Sequence, residues 1–312
     1  MNIFIKLMET AFPVFFAIAL GALCRKAGLV KPEGIGGIKS LVFDVFLPAV
    51  LFNALYKINY TPDMLLLAAV SFTAMSLALA AGFALQKLLG FKYRALPFVL
   101  TSAEAGMLGY PLYILLAGSE NLHFFVTMDV GHGIFLFTVL TLMVARTAGE
   151  KISGKAILRS FCSNKIMITI FCAIIIGISG IGPAVAASPL GGVVNSTLSF
   201  ITAPTGALMM LALGYELSFE KDLIKPVLLS VGLRAALMGV LLAAASLLVF
   251  AILPFDKNIM MALCLFFAMP TSYVMPILAD KLSEGRYISA TLSVYTLVTL
   301  MAFLGLSVYS AV

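Results

Sequence analysis

The sequence predicts an all-α membrane protein with ten transmembrane helices in two inverted five-helix repeats, and three observations predict it. Of the 312 residues, 62% are hydrophobic and only 11% charged, with a mean hydropathy of +1.11. A soluble domain carries about 25% charged residues, so a soluble enzyme, a secreted disulfide scaffold and a disordered chain are all excluded. The chain also divides into apolar segments near the roughly 20 residues that cross a bilayer. Finally, two proline-anchored stretches of the first half recur in the second.

The expected spans of the first half run Glu9 to Lys26, Gly36 to Tyr56, Asp63 to Leu89, Arg94 to Gly118 and Asn121 to Arg146. Those of the second run Lys165 to Ile181, Val193 to Tyr215, Lys225 to Leu253, Asn258 to Lys281 and Arg286 to Val312. In lipid each must be helical, because its backbone polar groups have no water to bond. The first apolar run follows Lys6 and Glu9 and ends in Arg25-Lys26 without a small-residue cleavage pattern, so it is read as a retained span.

Loop charge sets orientation. One side collects Arg25, Lys26, Lys31, Lys39, Lys87, Lys92, Arg94, Arg146, Lys151, Lys155, Arg159, Lys165, Lys221, Lys225, Lys281 and Arg286, the other only Lys6, Lys57 and Lys257. By the positive-inside tendency the loop 147–164 is cytoplasmic and both termini lie outside a cell (plasma or inner) membrane. The net charge of +6 therefore reports topology and predicts no nucleic-acid partner. The same loop bisects the chain into 1–146 and 165–312, and five spans per half force opposite insertion. "AGMLGYPLYILLAGSE" (105–120) aligns with "PTSYVMPILADKLSEG" (270–285), with Pro111 on Pro276. "FLPAVLFNALY" (46–56) resembles "TAPTGALMMLAL" (202–213), with Pro48 on Pro204. Inverted repeats of this kind are characteristic of transporters.

Proline lacks an amide donor and clashes with the preceding turn. Pro111 is accordingly expected to interrupt span 4, and Pro270 with Pro276 to interrupt span 9, at mid-membrane. The freed backbone groups must be buried in protein or line a cavity. Half-helix amino termini meeting there would present partial positive charge to an anion, and Gly106 and Gly109 permit close backbone approach.

The stretches "FDVFLPAVLF" (43–52), "GMLGYPL" (106–112), "AMPTSYVMPILADKL" (268–282) and "ISATLSVYTLVTL" (288–300) resemble the auxin efflux carrier family of permeases, which includes plant PIN carriers and bacterial malate and malonate transporters. The resemblance covers essentially the whole chain. It implies a scaffold domain from spans 1, 2, 6 and 7 and a transport domain from spans 3–5 and 8–10. It also implies crossed, broken spans 4 and 9, a small organic anion (a mono- or dicarboxylate, or auxin-like) moved by an elevator motion, and a homodimer. One departure stands out. The family often has asparagine seven residues before the span 4 proline, where this chain has Glu104. Either Glu104 is protonated, or it takes part in proton coupling, or the substrate is not a simple anion.

Ionisable groups within a bilayer cost about 2.5–3.5 kcal/mol each on insertion scales, so each requires a reason. Glu104 lies about 15 Å into span 4, and Asp129 and His132 about 12 and 16 Å into span 5. The last two are three residues apart and share a helix face. These three, with Asp44, are the candidates for proton or ion coupling. Asp44 precedes Pro48 by four residues, and either bonds the carbonyls that proline frees or lines the cavity. For Arg234 the alternatives are a carboxylate partner or snorkelling to the cytoplasmic interface, the second being favoured. The candidate substrate-binding residues are Glu104, Gly109, Tyr110, Pro111, Pro270, Thr271, Ser272, Tyr273, Pro276 and Asn53.

Cys24, Cys162, Cys172 and Cys264 form no CxxC, so no disulfide framework, metal site or cofactor is expected. HExxH, GxSxG and Walker sequences are absent, so no enzyme activity is expected. The leading expectation is a secondary transporter for a small organic anion. A monovalent cation/proton antiporter is the alternative, and an intramembrane enzyme using Asp129 and His132 a third.

Overall fold

A computed structural model describes residues 3–58, 62–150, 153–218, 220–279 and 282–311. Lys151 and Lys281 of the charge count, the Lys6 side chain, and the expected ends of spans 9 and 10 at Lys281 and Val312 lie outside the described residues and side chains. All regular structure among the described residues is helical.

The helices are α1 (Ile3–Lys26), α2 (Pro32–Leu55), α3 (Pro62–Leu89), α4 (Leu96–Val99), α5 (Ala105–Ala117), α6 (Ser119–Thr147) and α7 (Gly154–Cys162). They continue as α8 (Lys165–Ile178), α9 (Ile181–Ala187), α10 (Pro189–Glu216), α11 (Lys221–Ile252), α12 (Lys257–Ala268), α13 (Met275–Leu278) and α14 (Gly285–Ala311). Seven of these are long and apolar enough to cross a membrane, or eight if α8 and α9, bent by 74°, form one span. The segments expected as spans 4 and 9 are not continuous helices.

Small residues let the backbones approach. A Cβ on Gly21 would lie 2.0 Å from the Leu211 carbonyl oxygen, and one on Gly214 would lie 1.9 Å from that of Ile18, so α1 and α10 touch through reciprocal glycines. A Cβ on Gly131 would lie 1.9 Å from the Ala68 oxygen. There the Ser71 hydroxyl of α3 donates 2.6 Å to the Met128 carbonyl of α6. Packing rather than apolar burial drives helix association in lipid, and small interfaces maximise it.

Two of the prolines follow π turns. The turn Val42–Phe46 precedes Pro48 and the turn Ala105–Gly109 precedes Pro111, with the amides of Leu47 and Tyr110 reaching back five residues to the carbonyls of Val42 and Ala105. The widened turn accommodates a ring that cannot donate to the ordinary ladder.

Two expectations are corrected here. Pro111 does not interrupt span 4: it follows the π turn within α5, whose widened ladder accommodates a residue with no amide to donate. The chain leaves the helix earlier, between Val99 and Ala105, because side chains from α6 and α11 capture its backbone there. In span 9 the break lies between Ala268 and Met275; Pro270 falls inside it, while Pro276 opens α13. Arg234 bonds no carboxylate among the described residues, and it does not snorkel. It is 1% exposed, and its guanidinium bonds backbone carbonyls.

Candidate functional site

The two breaks touch. The Glu104 amide donates 2.9 Å to the Pro270 carbonyl, and the Thr271 hydroxyl donates 3.2 Å to the Phe98 carbonyl. Four half-helix ends converge here, and two side chains of opposite charge serve them. Arg234 Nη1 donates to the Val99 and Thr101 carbonyls at 2.9 Å each, and its Nη2 to those of Ser102 at 2.5 Å and Met269 at 2.9 Å. These are the carboxyl ends of α4 and α12, which carry partial negative charge. The guanidinium also lies over the Tyr295 ring, 5.0 Å from its centroid.

Glu104 serves the opposite ends. Its Oε1 accepts from the Met107 amide at 2.9 Å. Its Oε2 accepts from the Tyr273 amide at 2.6 Å, with the Ser272 hydroxyl at 3.4 Å. Each oxygen thus faces a backbone donor, an arrangement suited to the ionised carboxylate. Glu104 occupies the position in which an external anion would find the amides of α5 and of the turn before α13.

A second network runs beside it. The Tyr110 hydroxyl donates to Asp129 Oδ2. Asp129 Oδ1 lies 2.8 Å from His132 Nδ1, and His132 Nε2 lies 2.9 Å from the Ser102 hydroxyl and accepts from the Ala103 amide at 3.1 Å. A backbone amide can only donate, so Nε2 is unprotonated and the ring hydrogen sits on Nδ1, directed at Asp129. Asp129 and His132 are both buried.

Two cavities flank the crossover. One, of about 530 Å³, is lined by Asn53, Lys57, Tyr110, Pro111, Glu120, Asn195 and Thr205 among mostly apolar walls. The other, of about 740 Å³, is lined by Lys39, Asp44, Glu104, Tyr110, Asp129, His132, Lys165, Glu216, Ser272 and Tyr273. Pro32, the first residue of α2, lines the larger cavity and Asn53, in its last turn, the smaller, about 32 Å apart at 1.5 Å per residue. Tyr110 and Leu47 line both cavities and are almost wholly buried, so their side chains form the wall between them.

The candidates fall into groups. Glu104, Tyr110, Asp129, His132, Ser272, Tyr273 and Asp44 share the larger cavity, while Asn53 and Pro111 face the smaller. Pro270 and Thr271 join the breaks. Gly109 packs flat against Phe125, whose ring a Cβ would strike at 2.6 Å. Of the two roles open to Asp44, it takes the cavity wall, paired at 2.8 Å with Lys165. Sequence reasoning missed Ser102, whose φ of 69° is unusual outside glycine, and the organising role of Arg234. An arginine deep in a span with no acidic residue at matching depth nearby in sequence was the only signal.

The profile of the membrane transport protein family matches residues 6–309. The chain belongs to this family of auxin efflux carrier-like permeases. Within it, the chain is similar to an uncharacterized transporter of Methanothermobacter thermautotrophicus, with 23% identity over 310 residues covering 95% of this chain and 97% of the relative. It is thus a multi-pass membrane transporter rather than an enzyme, and the crossed breaks lie within the matched region.

Proposed function

We propose that this permease is a secondary active transporter of a small organic anion, a mono- or dicarboxylate, and that its transport is proton-coupled through Glu104. The single observation that carries this is the seat of Glu104 on the amides of Met107 and Tyr273. Two carboxylates about 4 Å apart at an effective dielectric of 20 repel by about 4 kcal/mol, roughly a thousandfold in affinity. A substrate carboxylate therefore takes those amides only after Glu104 has gained a proton and turned aside, which links one proton to each binding event. Asp129 and His132, bonded together and lining the same cavity, are the natural route for that proton. Ser272, Tyr273 and Tyr110 complete the binding surface on this side, and Asn53 on the other.

In this proposal the breaks are the centres of spans 4 and 9 in a ten-span, twice-repeated architecture, 1–146 and 165–312. The scaffold comprises spans 1, 2, 6 and 7, and the transport domain spans 3–5 and 8–10. That transport domain carries the crossover past the scaffold by an elevator motion. The two cavities at opposite ends of α2 suit such alternating access. Both termini lie outside the cell membrane, and the chain works as a homodimer, as the family resemblance implies.

A cation/proton antiporter is the second reading. What favours it is that Arg234 is committed to carbonyls, leaving Glu104 and Asp129 in one cavity without a lysine or arginine bonded to either among the described residues. Uptake into proteoliposomes separates the two. Accumulation of a labelled carboxylate driven by an inward proton gradient supports the first, and alkali-cation flux with no carboxylate dependence supports the second. In Glu104→Gln the amide group sets a donor against one backbone N–H, so carboxylate uptake should persist while losing its dependence on the gradient. Unchanged gradient dependence in that variant would sink the coupling role of Glu104.

A further inference from the structure

We infer that His132 is a positioning residue whose unprotonated Nε2 holds the backbone of the first break in shape, so that proton uptake on that nitrogen releases Ser102 and Ala103.

The geometry is specific. Ser102 has a left-handed backbone, φ 69°, and is wholly buried. L-residues adopt that conformation only when surrounding contacts impose it. Those contacts are two. Arg234 takes the Ser102 carbonyl, and His132 Nε2 takes the Ala103 amide at 3.1 Å with the Ser102 hydroxyl at 2.9 Å. The next amide, that of Glu104, is the one bonded to Pro270 across the crossover. His132 thus acts one residue away from the junction of the two breaks.

A proton arriving from the larger cavity, which His132 lines, occupies the Nε2 lone pair. The imidazolium then donates from both nitrogens. Its Nδ1–H stays on Asp129, whose negative charge it offsets. The Ala103 N–H loses its acceptor and faces a donor, while the Ser102 hydroxyl turns to accept. Only Arg234 then holds the strained residue.

The charged and titratable groups around the ring are few. Asp129 lies on the same helix, and Tyr110 of α5 donates to it. Glu104 follows Ala103 in the chain and lines the same cavity as the ring. The α12 neighbour is Phe266, with its ring centroid 5.9 Å from that of the imidazole, and α3 presents Ser71 to the α6 backbone. Around the cavity, Lys39 is paired with Glu216 at 2.6 Å and Lys165 with Asp44 at 2.8 Å. Asp129, bonded to the ring at 2.8 Å, favours its protonation, while Arg234, which holds the Ser102 carbonyl from α11 and bonds no carboxylate among the described residues, is the cation that works against it.

The consequence for transport rests on the carrier proposal above; the structural claim does not. The chain has two histidines, so His123→Gln leaves His132 as the only ring to observe. With ring-15N histidine in lipid nanodiscs, the expected result at pH 8 is a neutral ring carrying its hydrogen on Nδ1. On acidification Nε2 should become protonated in step with faster amide exchange over 100–105, corrected for intrinsic pH dependence. In His132→Gln, whose amide oxygen accepts from Ala103 at every pH, exchange over that segment should be pH-independent and the uptake profile flattened. An Nε2–H tautomer at pH 8, a ring that stays neutral to pH 4, or titration without a change in exchange each overturns the inference. Absence of carboxylate flux alongside pH-linked exchange would count against the carrier proposal alone.

Discussion

Replacing Arg234 with methionine tests the electrostatics of the crossover most directly. The side chain is 1% exposed, and its guanidinium serves four carbonyls belonging to two separate half-helix ends. Methionine approximates the volume and removes every donor. Each stranded carbonyl would cost about 1–3 kcal/mol if nothing relaxed. The break can relax and water can enter from the cavity, so the costs do not add. With relaxation leaving about two carbonyls without a donor, the expected loss is about 3–5 kcal/mol. It corresponds to a hundredfold or greater shift in the unfolding equilibrium. Arg234→Lys should fall between, because an ammonium has three donors and no planar fork. The chain lacks tryptophan, so unfolding in mixed micelles is best followed by far-ultraviolet circular dichroism during a denaturing-detergent titration. An Arg234→Met protein within about 1 kcal/mol of wild type, smaller than the cost of even one stranded carbonyl of average size, would refute the reasoning.

Three further outcomes are expected. Gly131→Ala places a methyl 1.9 Å from the Ala68 carbonyl oxygen, so α3 and α6 must separate, and the same detergent titration should show a clear loss of stability where Gly36→Ala, in open space, shows little. Tyr110→Phe removes the hydroxyl that anchors the wall between the cavities to Asp129; an imposed pH gradient, read with an entrapped dye, should collapse faster in proteoliposomes of this variant than in those of wild type. Asp44→Asn breaks an ion pair whose side chains are 49% and 63% exposed; stability should fall by no more than about 1 kcal/mol, with the difference vanishing at high salt.

How far the site was legible in advance depended on whether its cause was local. Glu104, Asp129 and His132 stood out because an ionisable residue in an apolar segment is visible in the sequence, and the structure gathers them around one cavity. The prolines pointed to spans 4 and 9, since a missing amide perturbs any helix. They misplaced the first break, because Pro111 is absorbed by a π turn while Ser102 is held out of the helix by Arg234 and His132. The snorkelling expected of Arg234 failed for a related reason: a long cation escapes to the interface only when nothing at depth can satisfy it, and here four carbonyls do.

Composition and hydropathy by themselves determined that the chain lies in a membrane as helices, because the cost of exposing backbone and charge to lipid accumulates residue by residue along the sequence. Motif order likewise carried the family. Only the tertiary structure decided which groups neutralise one another at the crossover. Arg234 meets a carbonyl 135 residues away, and Glu104 an amide 169 residues away. A buried polar group bonds whatever donor or acceptor folding brings within about 3 Å, and no local pattern in the chain encodes that choice.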